Sequence, residues 1–346
     1  MSLTFSVEFT SPSNIALIKY WGKKNPQLPL NPSLSMTLSK CNTQMKVEYS
    51  ESLSFDLELF FENKRNEKFE NKIKNKLLEN FSEQFPWIKT SKLKIISNNT
   101  FPHSSGIASS ASSMSALALC LISIDEKISN KKRSVDEFNK LASYWARMFS
   151  GSASRSIYSE AALWGKSNVD NLSSDDYAIS FNDFHPIFKN LGDFILIVDA
   201  SEKSVSSSAG HELMNGHPYK DARIAHANQN LLELVKAMKE GDFHAFLEVV
   251  EREALDLHGL MMTSRPSFIL LHPNTLKIIS IIKKAQVEKN IKMTFTIDAG
   301  PNIHLLYPHF ERSKVQDFIK NEILPIDQKI YFIDDQMGKG PMNLNE

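Results

Sequence analysis

Four segments of the chain bring together residue types that could do chemistry. Pro102 to Ser113 is short on bulk and rich in hydroxyls, and holds Ser105, Gly106, Ala108, Ser109 and Ser110. It lies between a strand-like and a helix-like run. The start of a helix offers N–H groups without partners and a partial positive charge. A glycine there lets backbone approach an anion closely, and serine hydroxyls add donors and a possible Mg²⁺ ligand. The segment therefore suits phosphates without a Walker lysine; read alone, it is equally an ordinary serine-rich helix cap. Ser150 to Ser156 sets Ser150, Ser152 and Ser154 beside Arg155. Arginine's planar fork matches a carboxylate or phosphate, and the plain alternative is a surface loop with a solvated arginine.

Asn14 to Lys23 places Asn14, Lys19, Tyr20 and Lys23 among apolar and aromatic residues. Such lysines either meet an anionic ligand in a partly dry site or snorkel beside packed aromatics. Asp298 opens Asp298-Ala299-Gly300-Pro301-Asn302, an acid at a strand end in a tight turn. Taken alone, that is also how a turn-forming aspartate looks. The chain has no H-E-x-x-H, C-x-x-C, G-x-S-x-G or G-x-G-x-x-G motif. Its ten histidines show no ligand spacing and read as structural or solvated.

The elements that must position these segments follow from periodicity. Leu3 to Phe9 alternates as a strand, and the alternation breaks from Ser11 to Trp21. Ser33 to Leu38, Met45 to Tyr49, Phe55 to Phe60 and Lys92 to Ser97 read as separate strands. Glu62 to Phe81 reads as an amphipathic helix with the stripe Phe69, Ile73, Leu77 and Phe81; acids interleave its lysines, so it is a solvated face rather than a nucleic-acid patch. A helix from about Ile107 to Ile124 follows the serine-rich loop. Ser134 and Glu137 form a capping box for the next helix, whose face is Val135, Phe138, Leu141, Ala142 and Trp145. Ala161 to Trp164 and Tyr177 to Ser180 are expected strands.

Phe194 to Val198 opens a second half. It carries helices at about 222–239 and 243–258, a third from Asn274 as N-cap to Glu288, strands at 292–297 and 303–306, a helix at 313–322, and a polar end expected to fray. Ser204 to Ser208 reads as a plain loop. Mixed strands and helices without strict alternation point to an α+β protein. The length suits two domains, divided in the loop at 185–193 into residues 1–190 and 191–346.

Lys plus Arg and Asp plus Glu both total 40, so no net field draws nucleic acid or an anionic membrane. Cys41 and Cys120 are expected as reduced thiols of a cytoplasmic protein. Met1 to Thr10 lacks the pattern of a signal peptide. The most apolar stretch, Met114 to Ile124, is too short to span a bilayer.

In this order the four segments resemble the diphosphomevalonate decarboxylase family of the GHMP kinase superfamily. The matches are N-I-A-x-x-K-Y-W-G-K at 14–23, P-x-x-x-G-[LI]-A-S-S-A at 102–111, S-G-S-A-x-R-S at 150–156 and D-A-G-P-N at 298–302. The glycine-serine loop alone would indicate only the superfamily; the K-Y-W and S-A-x-R-S motifs belong to the decarboxylase branch. The resemblance implies a two-domain GHMP kinase-like fold, its first domain like ribosomal S5 domain 2 and its second ferredoxin-like. It implies an active site in the cleft between them, MgATP and mevalonate 5-diphosphate as substrates, isopentenyl diphosphate as product, and a homodimer.

Carried over, Asp298 looks like the acid at the 3-hydroxyl, Arg155 the partner of the C1 carboxylate, and Lys19 a cation near the reacting centre. Asn14, Tyr20, Lys23, Ser150, Ser152 and a double serine, Ser206 and Ser207, look like the substrate grip. Ser105, Gly106, Ala108, Ser109 and Ser110 look like the ATP loop, with Ser110 a possible Mg²⁺ ligand. Three departures bear on the grip rather than the reaction class: His103-Ser104-Ser105 in the loop, Ser154, and Ser208. A decarboxylase of the monophosphate, or a kinase without decarboxylation, would tend to lose part of the Lys19, Arg155 and Asp298 set. A non-catalytic ligand-binding protein on this scaffold would show an eroded aspartate or phosphate loop.

Overall fold

The computed structural model describes residues 3–102, 107, 109–201 and 205–345. The first strand, β1 (Thr4–Ala16), runs past the point where alternation ends. From Ser11 to Ala16 every residue is buried, so both faces are covered and the period-two signal vanishes while the strand continues. A small hairpin, β2 (Lys23–Lys24) and β3 (Leu28–Pro29), follows. The two strands expected at 33–38 and 45–49 are one 19-residue strand, β4 (Ser33–Glu51). Then come β5 (Asp56–Phe61), β6 (Lys64–Arg65) and α1 (Glu67–Lys76). The helix starts at Glu67, later than expected, because Asn66 caps it by accepting the Phe69 N–H. Its stripe residues Ile73, Leu77 and Phe81 are buried as anticipated.

Next are β7 (Ser91–Asn99), α2 (Ser109–Ser129) and α3 (Val135–Phe149). The Ser134–Glu137 capping box is formed, but Val135, beside the cap, is exposed and not part of the apolar face. Ser150 to Ser156 winds into a 3₁₀ turn, Gly151–Ile157. The strands β8 (Ala161–Trp164), β9 (Ala178–Ser180) and β10 (Gly192–Ile197) lead to α4 (Ser207–Glu212), where a plain loop was expected. The rest comprises α5 (Lys220–Glu240), α6 (Phe243–Thr263), α7 (Pro273–Glu288), β11 (Thr294–Thr296), β12 (Ile303–Tyr307), α8 (Arg312–Phe318), β13 (Tyr331–Gln336) and β14 (Met342–Asn343). The cap of α7 is His272, whose Nδ1 accepts the Asn274 N–H; Pro273 holds the first helical position, so Asn274 lies inside.

An eight-stranded sheet runs β14-β1-β4-β7-β5-β6, with β8 on β4 and β9 on β8. A second sheet runs β11-β12-β10-β13. One face of the first sheet packs on α2 and α3 through Val47, Leu117, Leu121 and Trp145. The second sheet packs on α7 and α8 through Phe194, Ile278, Phe295 and Phe318. A third cluster joins the halves: Ile15, Leu34 and Met36 of the first sheet meet Ile195, Ile197, Leu231 and Phe246 of the second half. This α+β arrangement presents an apolar seam, and the chemical residues stand where it opens to solvent.

The polar end does not fray. β13 pairs with β10, and β14 pairs with β1 at Phe9 and Thr10. Asp335, fully buried, explains why so polar a strand is held. β4 bends at Ser39 and Lys40, and the Asp335 carboxylate accepts the N–H groups of Ser39, Lys40 and Cys41 at 2.8, 2.8 and 2.9 Å. Beside it in register, Asp193 meets His304 Nδ1 at 2.6 Å. Burial pushes the Asp193 carboxyl up, and His304 opposes that rise. Asp335→Ala would strand the three N–H groups. The expected loss is about 2 kcal/mol of stability, since Cys41 is buried and a buried orphan N–H costs about 1–3 kcal/mol, while Ser39 and Lys40 are exposed. Urea unfolding checks this, and a loss under about 1 kcal/mol would mean that water reaches the bend.

Candidate functional site

The residues around Lys19 are fixed by both halves. β1 ends at Ala16, and the N–H groups of Leu17 and Ile18 both bond to the Leu34 carbonyl at 2.8 and 3.1 Å, turning the chain toward the seam. The Lys19 N–H donates to Glu253 Oε2 of α6 at 2.8 Å. Its carbonyl accepts from Arg223 of α5 and from Asn31 Nδ2, each at 2.9 Å. Arg223 holds Glu253 with two bonds of 2.8 Å, and Asn230 adds a third at 2.6 Å. Burial alone would raise the Glu253 pKa, but Arg223, Asn230 and the Lys19 N–H outweigh it and keep the carboxyl below its ordinary range.

So clamped, Lys19 sends its ammonium to Asp298 Oδ1 at 2.7 Å. Its side chain is 2% exposed and that of Asp298 27%. The snorkelling alternative therefore fails for Lys19. Burial lowers the ammonium's pKa; Asp298 and then Glu253 oppose the fall, and Arg155 adds to it. Asp298 follows β11 in the second half, and its carbonyl accepts from His258 Nε2 at 3.1 Å.

Arg155 lies on the 3₁₀ turn and is buried. Its guanidinium contacts Asn14 Oδ1 at 3.4 Å from two nitrogens and donates to Ser33 Oγ. These neutral oxygens orient the fork without cancelling its charge. Burial lowers its pKa to about 10, still charged at neutral pH. Asn14 is a brace as much as a wall: its Nδ2 donates to the Ser152 carbonyl at 3.2 Å and to Ser156 Oγ at 2.7 Å. Tyr20 packs edge-on against Trp164, with ring centroids 4.7 Å apart. Gly151 makes that possible, because a Cβ there would sit 2.8 Å from both the Tyr20 hydroxyl and Trp164.

A partly open cleft of about 150 Å³ gathers most of the residues singled out in the sequence: Asn14, Lys19, Tyr20, Lys23, Ser110, Ser150, Ser152, Arg155, Ser207 and Asp298. Ser206 instead caps α4, its hydroxyl accepting the Ala209 N–H. Ser109 is the first residue of α2 and bonds within that helix. Ser105, Gly106 and Ala108 lie outside the described residues. The α2 N-terminus nonetheless reaches the cleft through Ser110, as a nucleotide phosphate site would require. Among the described residues no group of three or more His, Cys, Asp or Glu is placed to hold a metal ion.

Sequence reasoning missed Glu253, Arg223 and His211. The first two sit on neighbouring helices, far in sequence from Lys19. His211 stands one helical turn after Ser207, a spacing that becomes meaningful only once α4 is known.

The N-terminal part, residues 11–178, matches the model of the diphosphomevalonate decarboxylase-like N-terminal domain. Residues 194–344 match that of the mevalonate 5-diphosphate decarboxylase C-terminal domain. The chain belongs to the diphosphomevalonate decarboxylase family. The diphosphomevalonate decarboxylase of Candida albicans is 29% identical over 325 residues, covering 90% of this chain and 86% of that protein. That of Saccharomyces cerevisiae is 28% identical, covering 91% and 81%. The crystal structure of the Staphylococcus aureus mevalonate diphosphate decarboxylase superposes with a TM-score of 0.84 at 28% identity, over 99% of this chain and 98% of that one. A relative solved in complex with MVAPP, AMPPCP and magnesium gives 0.82 at 28% identity, over 99% of both. The architecture is thus the GHMP kinase fold of this family.

Glu253→Gln keeps the shape of the clamp and removes its charge. Glu253 helps hold Lys19 protonated, so its loss lowers the Lys19 pKa further. The alkaline limb of the turnover–pH profile should then move to lower pH. A profile superimposable on the wild type would show that Glu253 does not tune Lys19.

Proposed function

We infer that this chain is an ATP-dependent diphosphomevalonate decarboxylase. It phosphorylates the 3-hydroxyl of mevalonate 5-diphosphate, then expels phosphate and CO₂ to give isopentenyl diphosphate and ADP. The observation that carries the reading is the Lys19–Asp298 contact of 2.7 Å across the seam, in a cleft that also holds the Arg155 fork. A monophosphate decarboxylase or a kinase without decarboxylation would not need the whole set.

The mechanism follows from the groups present. Asp298 receives the proton of the 3-hydroxyl as that oxygen attacks the γ-phosphorus of ATP, and Lys19 orients the carboxylate and offsets its charge. The 3-phosphate is a far better leaving group than the tertiary hydroxyl. The C3–O bond then breaks with its electrons going to phosphate, and C3 gains cationic character. The C1–C2 bond breaks in turn; its electrons form the C2–C3 double bond and C1 leaves as CO₂. Arg155 holds the C1 carboxylate aligned with the breaking bond, and the Lys19 ammonium stabilises charge on the departing phosphate.

Asn14, Tyr20, Lys23, Ser150, Ser152, Ser206 and Ser207 form the substrate grip, with Asn14 and Ser206 acting through the residues they brace. Ser105, Gly106, Ala108, Ser109 and Ser110 would hold ATP, and the Ser110 hydroxyl would be available as a ligand to the Mg²⁺ that travels with the nucleotide, which would offset phosphate charge. The nucleotide-binding domain is read as residues 1–190 and the second as 191–346, the family matches leaving 179–193 between them and β14 crossing back to the first sheet. The enzyme acts as a cytoplasmic homodimer, as the family resemblance implies. Two buried free thiols, Cys41 and Cys120, suit a reducing compartment. Among the described residues no helix is long and apolar enough to cross a membrane.

CO₂ release from mevalonate 5-diphosphate, with and without MgATP and beside the 5-monophosphate, tests the reading. Release that needs ATP and the diphosphate is expected; ADP without CO₂ would make the protein a kinase. Asp298→Asn should abolish turnover while ATP and substrate binding stay near normal, and wild-type turnover would remove Asp298 from the chemistry. Arg155→Ala should lower kcat by at least about 10²-fold, the usual cost of a lost electrostatic contact in a transition state. A change confined to the KM for ATP would refute its carboxylate role.

A further inference from the structure

His211 is the one imidazole on the cleft wall among the described residues, and the proposed function gives it no role. Its surroundings are built rather than incidental. The ring lies 4.3 Å from the Tyr20 ring and 4.7 Å from the Trp21 ring, centroid to centroid. Gly210 allows that approach, since a Cβ there would come 2.5 Å from Trp21. The Gly22 N–H donates to His211 Nδ1 at 2.9 Å. Nδ1 must therefore carry a lone pair, which places the ring proton on Nε2. The ring is held on two sides and at one nitrogen, and its remaining polar group is a single N–H donor. Lining the same cleft are Lys23, Ser150, Ser152, Ser207 and Ser208, a set of donors suited to an anion.

We propose that His211 is a substrate-recognition residue whose neutral Nε2–H donates to an oxygen of the 5-diphosphate. The inference rests on the reading of the chain as a diphosphomevalonate decarboxylase and adds a contact to its grip. Burial, then Lys23 and Arg155, lowers the imidazole pKa to about 3, so it binds as a neutral donor throughout the physiological range. A second lysine in its place would be charged with or without substrate and would repel Lys23 and Arg155. A neutral donor avoids that cost. Trp21 and Tyr20 fix where the donor points, so recognition of the diphosphate is coupled to the same segment that carries Lys19.

Two substitutions separate this role from a purely structural one. His211→Asn keeps an acceptor for the Gly22 N–H near the position of Nδ1 but withdraws the donor from the cleft. His211→Gln keeps a donor near the position of Nε2 and gives up the Gly22 bond. The proposal expects H211N to raise the KM for mevalonate 5-diphosphate about tenfold or more, the cost of a hydrogen bond to a charged group. Its kcat should stay within about threefold and its KM for ATP unchanged, and inorganic pyrophosphate should inhibit it correspondingly less well. H211Q should keep a KM close to wild type. The reverse order, with H211Q impaired and H211N normal, or equal KM values in all three proteins, would overturn the proposal. Thermal melts of both variants show whether each is folded. Wild-type enzyme that does not consume mevalonate 5-diphosphate would refute the functional reading itself. Wild-type turnover with an unmoved H211N refutes only the role of His211.

Discussion

A buried ammonium governs this molecule. Lys19 is almost wholly withdrawn from water, and an unpaired charge in that position would cost several kcal/mol. Its partner, Asp298, comes from the other half of the chain, 279 residues away. The ion pair is satisfied only when the two sheets meet as they do, so the charge acts as a check on domain placement as well as a piece of chemistry. The backbone of residue 19 is held as firmly as its side chain, by Glu253 and Arg223, which are themselves a buried pair. Such pairs add little net stability but are costly to break one-sidedly, so their value here lies in fixing geometry.

Around that centre the protein arranges charge economically. Arg155 is held by neutral oxygens and His211 is kept uncharged, while Asp298 already has its counter-ion. The cleft thus presents a small excess of positive charge with few internal anions to compete for it. A ligand carrying carboxylate and phosphates can take up these contacts without first breaking a salt bridge to Arg155. Preorganisation of this kind places the reorganisation cost in folding rather than in turnover.

Much of this was legible in residue order. The four motifs lie where local chemistry is dense, and all four reach the cleft in residues that the structure describes, the serine-rich one through Ser110. The Ser134–Glu137 box and the alternating start of β1 were readable because their causes are local. What escaped reading had distant causes. β1 is longer than its alternation because its inner portion is covered on both faces, and β4 continues through exposed Ser39 and Lys40 because Asp335 holds their N–H groups. The polar residues of β13 look like a solvated tail until Asp335 is seen beneath the bend of β4. Glu253 and Arg223 are ordinary helix residues until Lys19 is placed between their side chains. His211 carries no ligand spacing, and its meaning depends on two aromatic rings and one backbone N–H brought in from residues 20–22.

The Asp335 contact also bears on how the chain is made. The N–H groups at the bend of β4 must wait for a carboxylate nearly three hundred residues downstream, and β14 covers an edge of β1 only later still. During translation the first sheet therefore emerges with an open edge and an unsatisfied kink, the kind of surface that recruits other strands. The final strands close both at once. The first half can reach its finished form only in the presence of the second, so synthesis couples its maturation to the arrival of the half that supplies Asp298.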